Sequence, residues 1–372
     1  MTSIYTQRLK YLKEQLRIQQ IDCLALIPGF NLRYLTGIDF TLFERPFILL
    51  IPSNEREEPL LVIPELEAVN WRNQHPFDVN LFPWSDSTGP EDAIKTAVLG
   101  LTGIQCMAVE YLRMRVQEFQ LLKRFLPELR FVDGDATLSK IRLRKSPQEL
   151  ECLQKAVQVC ERSLEEVVSS ITQGETEREI CNRLMAAILK NGGDGILIEP
   201  AVLSGVNSAL PHGHSSNRKV EAGDILLIDF VATVDGYFAD ITRTFFISHK
   251  PDPWLQHIYF IVNAANKIGR AVVRPGITCQ DVDRVVRQVI VDAGLGDQFI
   301  HRTGHGLGLD VHEGPSIGEG NQMILEEGMV FTIEPGIYIE GLGGVRIEDD
   351  VVVSQNGCQS MTSFNRELRV IG

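Results

Sequence analysis

Helical and strand-like spacings of apolar residues alternate along this chain. Between residues 6 and 20, Leu9, Leu12 and Leu16 fall on one face, and from Pro147 onward Leu150, Leu153, Val157, Cys160, Leu164 and Val167 do the same. Each stretch predicts a helix with one buried stripe. Ser146-Pro147-Gln148-Glu149 supplies an N-cap, a proline at the first helical position and a capping acid, and Thr176 with Glu179 repeats the logic for the next helix. A further helix pair is expected at about 253–273 and 279–293. Strand-like runs at 23–27, 47–51 and 60–63, then alternating helix-like and strand-like segments to about residue 131, predict a small α/β unit. The basic stretch 142–145 follows it, and the boundary is placed just before: one domain over 1–140, a second over 141–372.

The second half carries two predicted hairpins, each with a pair of acids. The apolar run Ile225-Leu226-Leu227-Ile228 ends on Asp229, and Asp240 lies in the alternating stretch 237–247 beyond a turn at Val234-Asp235-Gly236. Asp229 and Asp240 are equidistant from that turn, which predicts facing carboxylates with Cβ atoms about 5 Å apart. Glu334 and Glu348 are likewise equidistant from Gly341, between strand-like segments 331–339 and 345–353. Arg346 and Glu348, two apart, are expected to share a strand face. Four clustered acids repel one another and lose hydration, so they need a counter-charge. Neither hairpin's strands hold a lysine, and a multivalent cation suits four carboxylates better than an arginine does.

His305 sits in Thr303-Gly304-His305-Gly306-Leu307-Gly308, where the glycines allow close backbone approach to a crowded site. Carboxylates plus one imidazole, with no thiolate, suit catalytic Mn²⁺, Co²⁺, Fe²⁺ or Zn²⁺ more than structural zinc. Solvent-facing edge residues are the alternative for any single acid; two mirrored pairs and a glycine-flanked histidine make it the poorer account.

The runs Leu227-Ile228-Asp229-Phe230, Asp240-Ile241-Thr242-Arg243-Thr244, Gly304-His305-Gly306-Leu307-Gly308, Glu334-Pro335-Gly336-Ile337-Tyr338 and Gly343-Gly344-Val345-Arg346-Ile347-Glu348-Asp349 resemble, in order and spacing, the metal-binding motifs of the Xaa-Pro aminopeptidase and prolidase family. Asn31-Leu32-Arg33-Tyr34-Leu35-Thr36-Gly37 and Arg144-Lys145-Ser146-Pro147-Gln148-Glu149 extend the likeness over nearly the whole chain. The resemblance implies an α+β architecture: a pita-bread (creatinase/aminopeptidase-like) catalytic domain behind a smaller α/β, ribonuclease H-like domain. It implies two divalent metal ions per chain, Mn²⁺ first, with Co²⁺, Zn²⁺ or Fe²⁺ as alternatives. Asp229 would hold one ion, His305 and Glu334 the other, and Asp240 and Glu348 would bridge, with a water or hydroxide between the ions as nucleophile. By the same resemblance His212, His301 and His312 hold the substrate carbonyl or the tetrahedral intermediate, Glu334 shuttles a proton, and Arg346 anchors a substrate carboxylate or supports a bridging acid. His214 has no such counterpart. Without the resemblance, exposed loop residues would be the simpler reading of His212 and His214, and a surface pair with Glu348 or Asp349 that of Arg346.

The implied reaction is hydrolysis of the bond between an N-terminal residue and proline, in dipeptides or longer peptides. Proline lacks an N–H, so a site that reads the free amine avoids a hydrogen bond that strand-clamping peptidases need. Other readings stay open: a creatinase-like hydrolase of small molecules, a methionine aminopeptidase, or a non-catalytic binding protein on the same fold. The loop at 40–45 is either a lid over the substrate or an ordinary connection, and a homodimer is implied.

Composition narrows the partners. A net charge of -13 from 36 basic and 49 acidic residues leaves no basic stripe for phosphates, so nucleic acid is excluded as a partner. The first twenty residues are charged and amphipathic rather than signal-like, and no stretch has the length to span a bilayer. A cytoplasmic enzyme without membrane attachment is expected. Seven cysteines, odd in number and lacking CxxC spacing, read as reduced thiols.

Overall fold

A computed structural model describes residues 3–74, 76–249 and 252–372, which fall into two compact units, 1–141 and 142–372. In the first, a six-stranded mixed sheet runs in the order 80–84, 60–64, 48–52, 23–26, 106–109, 130–133. Helices Glu91–Leu99 and Val116–Phe125 cover one side, through Ile94, Val98 and Leu122 packed on Ala25, Leu50, Val62 and Met107. The segment 40–45 joins helix Phe30–Thr36 to strand Ile48–Pro52; Phe40 is buried against Phe47, while Phe43 stays exposed.

The second unit begins with the expected caps. Ser146 and Glu149 form a reciprocal capping box on helix Pro147–Val168, and Thr176 with Glu179 does so on Glu177–Lys190. Leu153, Val157, Cys160, Leu164 and Val167 are buried against Ile228, Phe230 and Phe245 on the back of the first hairpin. Helices Pro253–Val272 and Cys279–Asp292 back the second acidic segment through Ile258, Val262, Val286, Ile337 and Val345. Helices therefore shield the ribbons from behind, and the acids face the other way. The stretch 142–145 departs from a solvated linker: Arg142 and Lys145 are buried.

The first hairpin differs from expectation in register. Strands Ile225–Val234 and Tyr237–Ile247 are joined by a two-residue turn, with Val234 opposite Tyr237. Asp235 and Gly236 take φ of 51° and 76°, the primed turn whose twist matches the strands. Asp229 therefore faces Thr242, and Asp240 faces Val231. The carboxylates share one face as diagonal neighbours rather than a directly opposed pair. This offset lowers their mutual repulsion and puts a threonine hydroxyl between them.

The second ribbon differs in continuity. Its midpoint is Gly341, since Ile333 pairs with Asp349 and Gly336 with Arg346, but the ladder is interrupted at Glu334-Pro335 and Ile347-Glu348. Arg346 ends a strand and Glu348 lies beyond it, so the two do not share a continuous strand face. The backbone N–H groups freed there bond elsewhere: Glu334 donates to the Thr303 carbonyl and Glu348 to the Thr242 carbonyl. Each glutamate is thus tied by its own backbone to the segment carrying another site residue. All seven cysteines are free thiols, and among the described residues no helix is long and apolar enough to cross a membrane.

Candidate metal centre

Asp229, Asp240, His305, Glu334 and Glu348 line one cavity of about 450 Å³. His212, His214, His301, His312 and Arg346 line it as well. His305 reaches it from strand Gly304–Gly306, pressed between two neighbours: a Cβ on Gly304 would stand 1.9 Å from the Thr332 carbonyl oxygen, and one on Gly306 1.9 Å from that of Gly314. Only glycine permits that contact, which is the physical content of the Gly-His-Gly run.

The imidazole is oriented by its own backbone. His305 Nδ1 lies 3.1 Å from the Gly306 carbonyl oxygen, an acceptor, so Nδ1 carries the proton and Nε2 presents a lone pair. That lone pair points at carboxylates: Glu334 Oε1 is 3.4 Å away and Asp240 Oδ2 3.9 Å. Asp240, His305 and Glu348 each offer one ligand atom, all within 4.8 Å of one another. Asp240 Oδ1 is buried without a hydrogen-bond partner. A lone pair facing carboxylates, with a buried oxygen unpartnered, is the donor set a hard or borderline divalent cation needs.

The electrostatics agree. Burial, then the carboxylates of Asp229, Asp350 and Glu334, push Asp240 well above the usual carboxylate range. Glu348 is raised in the same way, by burial and then by Asp240, Glu334 and Asp229. Burial lifts Glu334 to about 7 against the opposing pull of Arg346. Burial and the neighbouring His312 bring His305 down to about 3, so the ring is neutral and able to ligate. The two rings meet edge to face with centroids 4.2 Å apart.

Several partners escaped the sequence reading. The Thr242 hydroxyl donates to Glu348 Oε2 at 2.5 Å, and the Thr332 hydroxyl donates to Glu334 Oε1 at 3.0 Å while accepting from the His305 amide. Arg346 is fully committed: Nη2 to Asp229 Oδ2 at 2.5 Å, Nη1 to the Tyr338 hydroxyl at 2.6 Å, Nε to Thr242 Oγ1 at 3.1 Å. His301 receives Tyr338's proton at Nε2, 2.9 Å, and donates from Nδ1 to the Arg302 carbonyl at 2.8 Å. The register offset moved Thr242 to its place, and no local pattern marks Tyr338 beyond its position four residues after Glu334.

Glu313, next to His312, was also missed. It is buried, contacts Arg142 and accepts from Lys145 Nζ at 2.7 Å. Although burial opposes it, Lys145 and Arg142 hold its carboxyl below the usual range. The segment between His305 and His312 folds round this carboxylate, which a Cβ on Gly308 would meet at 2.6 Å.

Comparison with known proteins agrees with the motifs. The pattern described as "Metallopeptidase family M24" matches residues 151–355, and "Creatinase/Prolidase N-terminal domain" matches 8–144. A Xaa-Pro dipeptidase of Pyrococcus furiosus is 35% identical over 84% of this chain and 86% of its own length. The crystal structure of a prolidase from Thermococcus sibiricus superposes with a TM-score of 0.93 at 33% identity, covering 100% of both chains. That of an X-Pro aminopeptidase from Thermotoga maritima gives 0.84 at 33% identity, covering 98% of this chain and 99% of the other. The resemblance carried by the five motifs therefore holds, and this chain belongs to metallopeptidase family M24, with a creatinase/prolidase N-terminal domain ahead of a pita-bread catalytic domain.

Proposed function

We propose that this protein is a dinuclear-metal exopeptidase that hydrolyses the bond between an N-terminal residue and proline. The observation that carries the reading is the convergence of five donor side chains, with the His305 Nε2 lone pair and the unpartnered Asp240 Oδ1 among them. Asp229 would hold one ion, His305 and Glu334 the other, with Asp240 and Glu348 shared between them. When bound, such a pair supplies Lewis acidity, polarising a carbonyl and lowering the pKa of water from 15.7 toward about 7.

The chain's own groups do the rest. Glu334, raised to about 7 by burial, is poised to take a proton at its carboxylate and return it to the leaving proline nitrogen near neutral pH. His212 and His312, on the cavity wall, are placed to donate to the substrate carbonyl and its developing oxyanion. His301 has both nitrogens engaged and acts by fixing Tyr338, and through it Arg346 and Asp229. Mn²⁺ as the working ion, a homodimer and a cytoplasmic location complete the reading on the strength of the family resemblance.

The test compares a Xaa-Pro dipeptide with a Xaa-Pro-Xaa tripeptide under added Mn²⁺, alongside metal analysis. Proline release with two metal equivalents per chain is expected. Inactivity on both peptides in fully metallated protein would overturn the reading in favour of a small-molecule hydrolase; absence of metal uptake as well would favour a binding protein.

A further inference from the structure

Two arginines line the cavity, and they differ in what they have left to offer. Every donor-bearing nitrogen of Arg346 is spent on Asp229, Tyr338 or Thr242, and the side chain is buried. It supports an acid and has nothing free for a substrate. Arg302 is the opposite case. It is exposed on the cavity wall, and among the described residues its one side-chain hydrogen bond is a long one, 3.3 Å from Nη1 to Ser316 Oγ. No carboxylate pairs with it, although the cavity holds four acids.

Its placement is fixed from two sides. Arg302 enters strand Gly304–Gly306 two residues ahead of its start, and Ser316 lies opposite His305 in the neighbouring strand. The guanidinium is close enough for its charge to be felt at His305, His312 and Glu334. An unpaired cation thus stands at the wall of a cavity whose acids would repel any anionic substrate. In a Xaa-Pro dipeptide the free carboxylate is only two bonds beyond the scissile nitrogen, so it must lie close to the reacting carbonyl and among those acids. A guanidinium fork matches a carboxylate in shape and charge.

We infer that Arg302, steadied by Ser316, binds the free carboxylate of the residue after the scissile bond and so makes the site prefer dipeptides over longer Xaa-Pro peptides. This rests on the proposed Xaa-Pro hydrolysis and adds to it the feature that sets substrate length. The carboxylate is recognised as a charge: a neutral C-terminus of the same shape loses the contact, and a longer peptide carries its carboxylate away from it.

The experiment measures steady-state kinetics on one Xaa-Pro dipeptide and on its C-terminal amide, using Mn²⁺-loaded wild type, R302M and R302K. Wild type is expected to favour the acid over the amide. R302M should raise KM for the acid roughly ten- to a hundredfold, the loss expected for hydrogen bonds to a charged group. The same change should leave the amide within about twofold, and R302K should recover part of the loss. Equal losses on both substrates, or no change on either, would overturn the assignment, as would a wild type indifferent to amidation. Wild-type inactivity on both would instead remove the proposed reaction, and this inference with it.

Discussion

Asp240 bears the heaviest electrostatic cost of any site residue, and that cost is the mark of what the position is for. It is buried, one oxygen has no partner, and Asp229, Asp350 and Glu334 all raise its pKa further. A carboxyl whose folded pKa lies above its unfolded value destabilises the fold at every pH above that unfolded value. Removing the charge should therefore help the metal-free chain. D240N in chelator at pH 8 is expected to melt at or above the wild-type temperature, by at least about 1 kcal/mol in stability. With Mn²⁺ added the order should reverse, because only wild type gains from the ion. A D240N protein that is less stable than wild type in chelator would show that the carboxylate serves packing rather than metal binding.

Elements explain why part of this was legible and part was not. Capping boxes at Ser146 and Thr176 are local signals, and both helices start where the sequence puts them. Face-sharing of Asp229 and Asp240 was also legible, since a two-residue shift in pairing keeps side chains on the same side. Their opposition was not, because it depended on whether the turn held two residues or three. The break at Glu334 and Glu348 depends on Thr303 and Thr242, partners remote in sequence that no periodicity encodes. Least legible was the basic stretch at 142–145, whose composition suggests solvent although Lys145 and Arg142 are buried on Glu313. K145M removes one member of that cluster, and breaking a buried pair costs about 3 kcal/mol. Because Glu313 titrates below its ordinary value in the folded chain, its stabilisation is complete above the unfolded glutamate pKa of about 4.3 and fades as pH falls through the lower folded value. Urea denaturation should show a wide gap between K145M and wild type at pH 7 that narrows on acidification. A gap that is constant with pH would assign the loss to packing alone.

At the scale of the molecule, the two compact units divide the chemistry unequally. Every acid and histidine assigned to the site lies in residues 142–372, and the first unit contributes its own sheet and core. Within the second unit the ligands come from three places: the hairpin 225–247, the strand 304–306, and the interrupted ribbon 330–354. Their carboxylates repel one another, so cation binding should tighten all three segments together. A ligand present at a hundred times its dissociation constant stabilises the state that binds it by about 2.7 kcal/mol. Hydrogen exchange with and without Mn²⁺ is expected to slow by roughly a hundredfold at amides that exchange only when the catalytic unit opens. Protection should rise in the first hairpin, in 304–306 and in 330–354 alike, since the ion is lost whichever of them separates. Peptides from the 23–26 and 48–52 strands of the first unit hold no ligand and should change far less. Protection confined to a single segment would mean that the ligands bind metal separately, and the shared centre would have to be abandoned.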